Sequence, residues 1–101
     1  MATLTVPKGK FSLGQMVMTS GVYERCQRDA DFNLFVIKSL ERHAKGDWGS
    51  MSLEDKRENE FALIAGNLRL FSSYEQEGFP KIWIITEADR SVTTILFPEE
   101  Y

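Results

Sequence analysis

The stretch NLRLFSSYEQEGFPKIWIITEADRSVTTILFPEEY, residues 67–101, decides the fold. Leu68, Leu70 and Ser72 alternate with Arg69, Phe71 and Ser73, and Ile82, Ile84 and Thr86 alternate with Trp83, Ile85 and Glu87. A period of two marks strands, whose successive side chains point to opposite faces. A third run, Ser91 to Phe97, is rich in β-branched residues, which suit a pleated surface. Gln76-Glu77-Gly78-Phe79-Pro80 supplies one turn and Glu87-Ala88-Asp89-Arg90-Ser91 the next. Strands over 67–75, 81–87 and 91–97 joined this closely predict an antiparallel meander.

The apolar face of such a sheet needs cover, and the helical patterns upstream supply it. Thr19 or Ser20 can cap a short helix over 20–28. Asp29 or Asp31 can cap a second over 32–45, where Phe32, Phe35, Val36 and Leu40 recur at spacings of three and four and Gly46 ends the run. Ser52-Leu53-Glu54-Asp55 opens a third over 53–65: a hydroxyl three residues before an acid suits the free amides of a helix start, and both acids suit its dipole. Phe61, Leu63, Ile64 and Ala65 are expected to form its buried end, and Gly66 to stop it. Phe11 to Met18, FSLGQMVM, alternates and reads as an added strand. The expected architecture is α+β, a three- to four-stranded antiparallel sheet on two or three helices, with residues 1–10 as a flexible lead-in and 11–101 as one domain.

Composition bounds the function. At 101 residues and 43% hydrophobic, with twelve aromatic residues, the chain can bury a core without metal or disulfide support. Twelve basic against fifteen acidic residues, interspersed, give a net charge of −3, which argues against direct nucleic-acid binding through phosphate neutralisation. The single Cys26 cannot form an internal bridge and reads as a small apolar residue in a reducing compartment. No apolar run reaches membrane-spanning length and no signal peptide is recognisable, so a cytoplasmic bacterial protein is expected. The strings CxxC, HExxH, GxSxG and a phosphate-cradling glycine loop are all missing, so neither cofactor nor metal is expected.

Two groups of residues stand out. His43 is the only histidine, and every imidazole-based acid–base scheme passes through it; its place in the last turn of the second helix equally suits a structural role. In a catalytic scheme, a small metal-independent nuclease or transferase of the RelE or barnase kind, His43 and Arg90 act with Thr93 or Thr94 on a phosphodiester, and Glu87 or Asp89 is the base. The same turn also reads as a solvated hairpin tip, with Asp89 bonding the following amides. An anion pocket near Arg90 would suit a nucleotide-sensing module. Asp47 and Trp48, between Gly46 and Gly49, form either a connector whose ring plugs the core or an aromatic anchor for a protein partner. Glu87, Asp89, Arg90, Glu99, Glu100 and Tyr101 join them as partner-binding candidates.

RHAKGDWG (42–49), ENEFALIAGNLRLFSSY (58–74) and IWIITEADRSVTTILFPEEY (82–101) together resemble a family of bacterial plasmid-related proteins of about this length, found on plasmids, integrated elements and prophages. Phe32-Asn33-Leu34-Phe35 departs from that pattern. The resemblance implies a mobile-element setting, where small accessory proteins blunt host restriction or CRISPR systems. The expected function is therefore a non-catalytic, protein-binding accessory factor of a mobile element, an inhibitor of a host defence system, acting as monomer or homodimer.

Overall fold

The computed structural model describes residues 9–101. Most of the lead-in expected over 1–10 lies outside the described residues, but Lys10 is anchored, its backbone N–H donating to the Ala44 carbonyl at 2.9 Å. The chain then forms β1 (Gln15–Met18), α1 (Ser20–Arg28), α2 (Ala30–Ala44), α3 (Leu53–Ala65), β2 (Leu70–Tyr74), β3 (Ile82–Thr86), β4 (Val92–Leu96) and a 3-10 turn at Pro98–Glu100. The fold is α+β: one four-stranded sheet, ordered β1-β4-β3-β2, with three helices.

β2, β3 and β4 form the expected antiparallel meander. β1 is shorter than the 11–18 run suggested, and it pairs parallel to β4, so the sheet is mixed. The reason is topological. A tight hairpin dictates antiparallel pairing, whereas β1 runs through Thr19 straight into α1 and its direction is set by where that helix must lie. Gly14 makes the entry with φ of 63°, and a Cβ there would stand 2.2 Å from the Ser91 carbonyl oxygen.

One face of the sheet carries Tyr74, Ile82, Ile84 and Ile95 into a core with Val22 of α1 and Phe32, Phe35, Val36 and Leu40 of α2. Asp29 starts α2, accepting from the N–H groups of Asp31 and Phe32 at 3.1 Å each. At α1 the expected hydroxyl cap is replaced by a remote carboxylate. Glu100 accepts from Gly21 N–H at 3.0 Å and from the Thr19 hydroxyl at 2.6 Å, which ties the end of the sheet to the helix dipole. The Thr19 hydroxyl bond holds the Glu100 carboxyl below its ordinary pKa.

α3 differs from expectation in the face it buries. Ser52 caps it through Asp55 N–H at 3.1 Å and Gly66 ends it with φ of 76°, but its buried residues are Asn59 and Ala62, while Phe61, Ile64 and Ala65 face out. The rotation follows from what Asn59 bonds. Its amide donates to the Phe71 carbonyl at 2.6 Å and accepts from the Phe71 N–H at 3.1 Å, closing the outer edge of β2 like a missing strand. The 45–52 connection completes that closure: Ser73 N–H donates to Trp48 O at 3.2 Å and Ser50 N–H to Ser73 O at 2.8 Å. Gly49 has φ of 75°, and a Cβ there would lie 1.9 Å from Ser73 O, so only glycine fits this approach.

Removing Asn59 strands both backbone groups of Phe71. Asn59→Ala is expected to lower stability by about 1–3 kcal/mol. Asn59→Asp, which accepts but cannot donate, should recover only part of that loss. Urea unfolding followed by tryptophan fluorescence measures both, and wild-type stability in the Ala variant would contradict this account of the edge.

Candidate functional site

Strand alternation puts three hydroxyls, Ser72, Thr86 and Thr93, on the core face of β2, β3 and β4, all fully buried. Buried hydroxyls need partners, and His43 from α2, itself fully buried, provides them. Its Nδ1 lies 2.5 Å from Ser72 Oγ and its Nε2 2.9 Å from Thr86 Oγ1. Thr86 Oγ1 is 2.7 Å from Thr93 Oγ1, and Thr93 donates to the Leu13 carbonyl at 2.6 Å.

The far end sets the direction of the chain. A carbonyl can only accept, so Thr93 spends its proton on Leu13 and must accept from Thr86. Thr86 in turn accepts from His43 Nε2–H, and Nδ1 accepts from Ser72. Nε2 thus carries a proton, and desolvation keeps the buried ring neutral by pushing its pKa down from 6.5 to about 3, which leaves Nδ1 as the acceptor. His43 is sealed above by aromatic rings, with Phe11 at 5.3 Å and Trp48 at 5.6 Å between centroids.

This geometry bears directly on the residues singled out from the sequence. His43 and Thr93 are linked only through Thr86, inside the core, where both ring nitrogens of His43 are already hydrogen-bonded. Arg90 is spent elsewhere: its guanidinium donates to the carbonyls of Leu68 at 2.6 Å and of Ala62, Glu87 and Ala88 at 3.2 Å each, and its φ is 62°. Glu87 pairs with Arg69 at 3.2 Å, and Asp89 accepts from Ser91 N–H at 3.0 Å, as a hairpin tip does. Thr94 sits on the opposite sheet face from Thr93. These residues form no common pocket with His43. Asp47 pairs with Arg42 at 2.7 Å, and that bond holds its carboxyl below the ordinary range. Trp48 is buried, donating from Nε1 to Glu60 at 3.1 Å, so its ring plugs the core rather than facing outward. Glu100 is occupied as the cap of α1. Glu99 and Tyr101 are exposed, and the Tyr101 ring packs 5.9 Å from Trp83 while its hydroxyl accepts from Arg69 at 3.0 Å. Among the described residues no group of three or more His, Cys, Asp or Glu is placed to hold a metal ion, and no helix is long and apolar enough to cross a membrane.

The concave surface lies on the other side of β2. α3 and residues 68–71 wall a groove of about 1140 Å³ with Met51, Leu53, Phe61, Ala62, Leu68 and Phe71 in its lining. Glu54, Asp55 and Glu58 stand on the groove with Arg57 and Arg69, and Arg69 is already paired with Glu87. Beside the groove the exposed helix face continues through Ile64, which is 86% exposed, with Phe61 at 62% and Leu53 at 64%. At 3.6 residues per turn Leu53, Phe61 and Ile64 fall on one side of the helix, so these exposed apolar side chains share a face. Sequence reading missed this face because the apolar residues of α3 recur at core-like spacing, and only the Asn59 contact shows which way the helix is turned. The polar chain was more accessible: hydroxyls at core positions of three strands and a single histidine at core spacing on α2 are partners of the right kind.

Comparison with protein-family models, with curated proteins and with solved structures finds no match to this chain.

The buried neutral histidine predicts a pH dependence. Its folded pKa of about 3 lies below its unfolded value of 6.5, so between these pH values the unfolded chain binds a proton that the folded one does not. The stability from keeping His43 neutral is complete above pH 6.5 and is lost as pH falls toward 3, by about 1.4 kcal/mol per pH unit at most. His43→Gln should be less stable at pH 7 and should show a flatter profile between pH 6.5 and 4. Chemical denaturation at stepped pH measures this, and parallel profiles would refute the assignment.

Proposed function

We propose that the protein is a non-catalytic, protein-binding factor, and that the groove between α3 and β2 receives an apolar segment of its partner flanked by basic residues. The observation that carries this reading is the outward face of α3, where Leu53, Phe61 and Ile64 expose large apolar side chains beside a concave surface. Such a face lowers solubility and is retained where it docks something. The sign of the partner follows from the rim. Glu54, Asp55 and Glu58 outnumber Arg57, the cation not committed to another residue, so Lys or Arg on the incoming segment is favoured and acidic partners are repelled. A helix of two or three turns suits a groove of this kind, laying its apolar side against Phe61 and Leu68.

The bonding of both His43 ring nitrogens in the core supports this reading over the nuclease scheme, which needs that ring as its acid–base group. The resemblance of the 42–49, 58–74 and 82–101 strings extends this proposal to a mobile-element setting, with a host restriction or CRISPR component as the partner. A small binding factor with an apolar docking face and an acidic rim fits an inhibitor acting by occlusion.

A panel of amphipathic helical peptides with apolar faces and either Lys/Arg or Glu rims provides the test, read by titration of the full chain. The basic set should bind and shift amide resonances over 53–71, and the acidic set should not. Phe61→Glu and Ile64→Glu should each weaken binding about tenfold or more, the range expected for anchor positions. Their thermal midpoints should stay close to wild type, because both sites are exposed. No preference between the two rims, or binding indifferent to both substitutions, would overturn the reading.

A further inference from the structure

The two edges of the sheet are treated differently. The β2 edge is closed, with the outward backbone groups of Phe71 taken by Asn59 and those of Ser73 by Trp48 and Ser50. At the other edge, β1 directs Gln15, Val17 and Thr19 toward β4, as the bonds from Gln15 N–H to Ser91 O at 2.9 Å and from Thr19 N–H to Ile95 O at 3.1 Å show. Parallel pairing alternates, so the N–H and C=O groups of Met16 and Met18 point away from the sheet. Among the described residues they have no partner. Their side chains, with that of Val17, are 36–40% exposed.

Open edges are usually blunted by shortness, a charged side chain, a proline or a bulge; β1 is short, but its four residues Gln-Met-Val-Met carry no charge, proline or bulge. We propose that β1 is a self-association edge, at which two copies of this chain pair antiparallel across a two-fold axis and join their sheets into one of eight strands. The geometry is self-complementary. With Val17 on the axis opposite its own copy, Met16 of each chain faces Met18 of the other, and each of these two pairs exchanges two backbone bonds. No charge falls within the paired strands to repel across the axis. The methionines adapt their unbranched side chains to one another on the helix side of the sheet.

The closed β2 edge argues for a second copy rather than an open array. Growth beyond two needs a second free edge, and Asn59 with the 48–50 segment has removed it. One open and one closed edge permit a finite symmetric dimer and stop there. Four short backbone bonds and a few apolar side chains form a small interface, so the dimer is weak and concentration-dependent.

Sedimentation equilibrium of the full chain from low micromolar to about 1 mM tests this. The mass is expected to rise toward twice that of the chain. Met16→Pro deletes an outward N–H while leaving the inward bonds of Gln15, Val17 and Thr19 to β4, so it should weaken association at least tenfold with an unchanged circular dichroism spectrum. Met18→Lys places a charge beside the paired edge and should do the same; it decides the matter if the proline variant fails to fold. Val17→Cys in a Cys26→Ser background should form a covalent dimer with oxidised glutathione, because the axial pair is the closely spaced, non-hydrogen-bonded kind. A chain that stays monomeric across the range, a dimer unaffected by Met16→Pro and Met18→Lys, or no cross-link at position 17 would each overturn the proposal.

Discussion

Everything in this fold is arranged around one chain of buried hydrogen bonds, from Ser72 through His43, Thr86 and Thr93 to the carbonyl of Leu13. It touches β2, α2, β3, β4 and the segment leading into β1, so a single polar path crosses the core beneath the helices. A path of this kind tolerates no partial occupancy. Each hydroxyl has surrendered its water, and losing any one partner leaves another buried polar atom unsatisfied at a cost greater than the bond itself contributes. It therefore acts as a registration device: a two-residue slip of β2 or β4 would keep an apolar face inward and satisfy the hydrophobic pattern, but it would break the path. No buried side-chain nitrogen or oxygen among the described residues lacks a partner, so the path is complete.

A second constraint follows from the edge of β2. Because Asn59 must reach the Phe71 backbone, α3 is locked about its own axis, with Asn59 and Ala62 toward the sheet. At 3.6 residues per turn this places Leu53, Arg57, Phe61 and Ile64 away from it. The exposed apolar face is thus the geometric consequence of closing the edge with an asparagine on this helix. Closing β2 and turning these apolar side chains outward are one structural decision, while the outward backbone groups of β1 have no partner among the described residues.

The sheet and the three helices were legible because their signals are local. Periodicity of two over β2, β3 and β4, the Asp29 and Ser52 caps and the Gly66 stop each lie within a few residues of the feature they specify. What escaped local reading depends on partners far along the chain. The parallel sense of β1 depends on α1 docking, and the cap of α1 comes from Glu100, 79 residues beyond Gly21. The outward turn of Phe61 and Ile64 depends on a backbone pair at Phe71. His43 was legible as a residue of interest, but its chemistry was not: position 43 in the last turn of α2 shows neither that Ser72 and Thr86 flank the ring nor that Phe11 and Trp48 seal it. Arg90 shows the same limit in reverse. A cation in a turn beside two acids suggests an anion site, yet here it is consumed by carbonyls.

That use of Arg90 bears on how the groove works. Holding a non-glycine residue at φ of 62° is unfavourable by itself, and the strain persists because the guanidinium binds the Ala62 carbonyl of α3 and the Leu68 carbonyl of the loop that follows. Ala62 on α3 and Leu68 just beyond its end both line the groove, so the guanidinium bonds the backbone at two points of its lining. One side chain from the β3–β4 turn therefore ties the end of α3 to the segment that leads into β2. For the docking proposed above, a lining tied in this way would lose little conformational freedom on binding, so a modest apolar contact at Phe61 and Leu68 would count toward affinity instead of being spent on ordering the receptor. On that proposal the strained arginine and the exposed phenylalanine act together, one tying down the lining of the groove and the other supplying its contact surface.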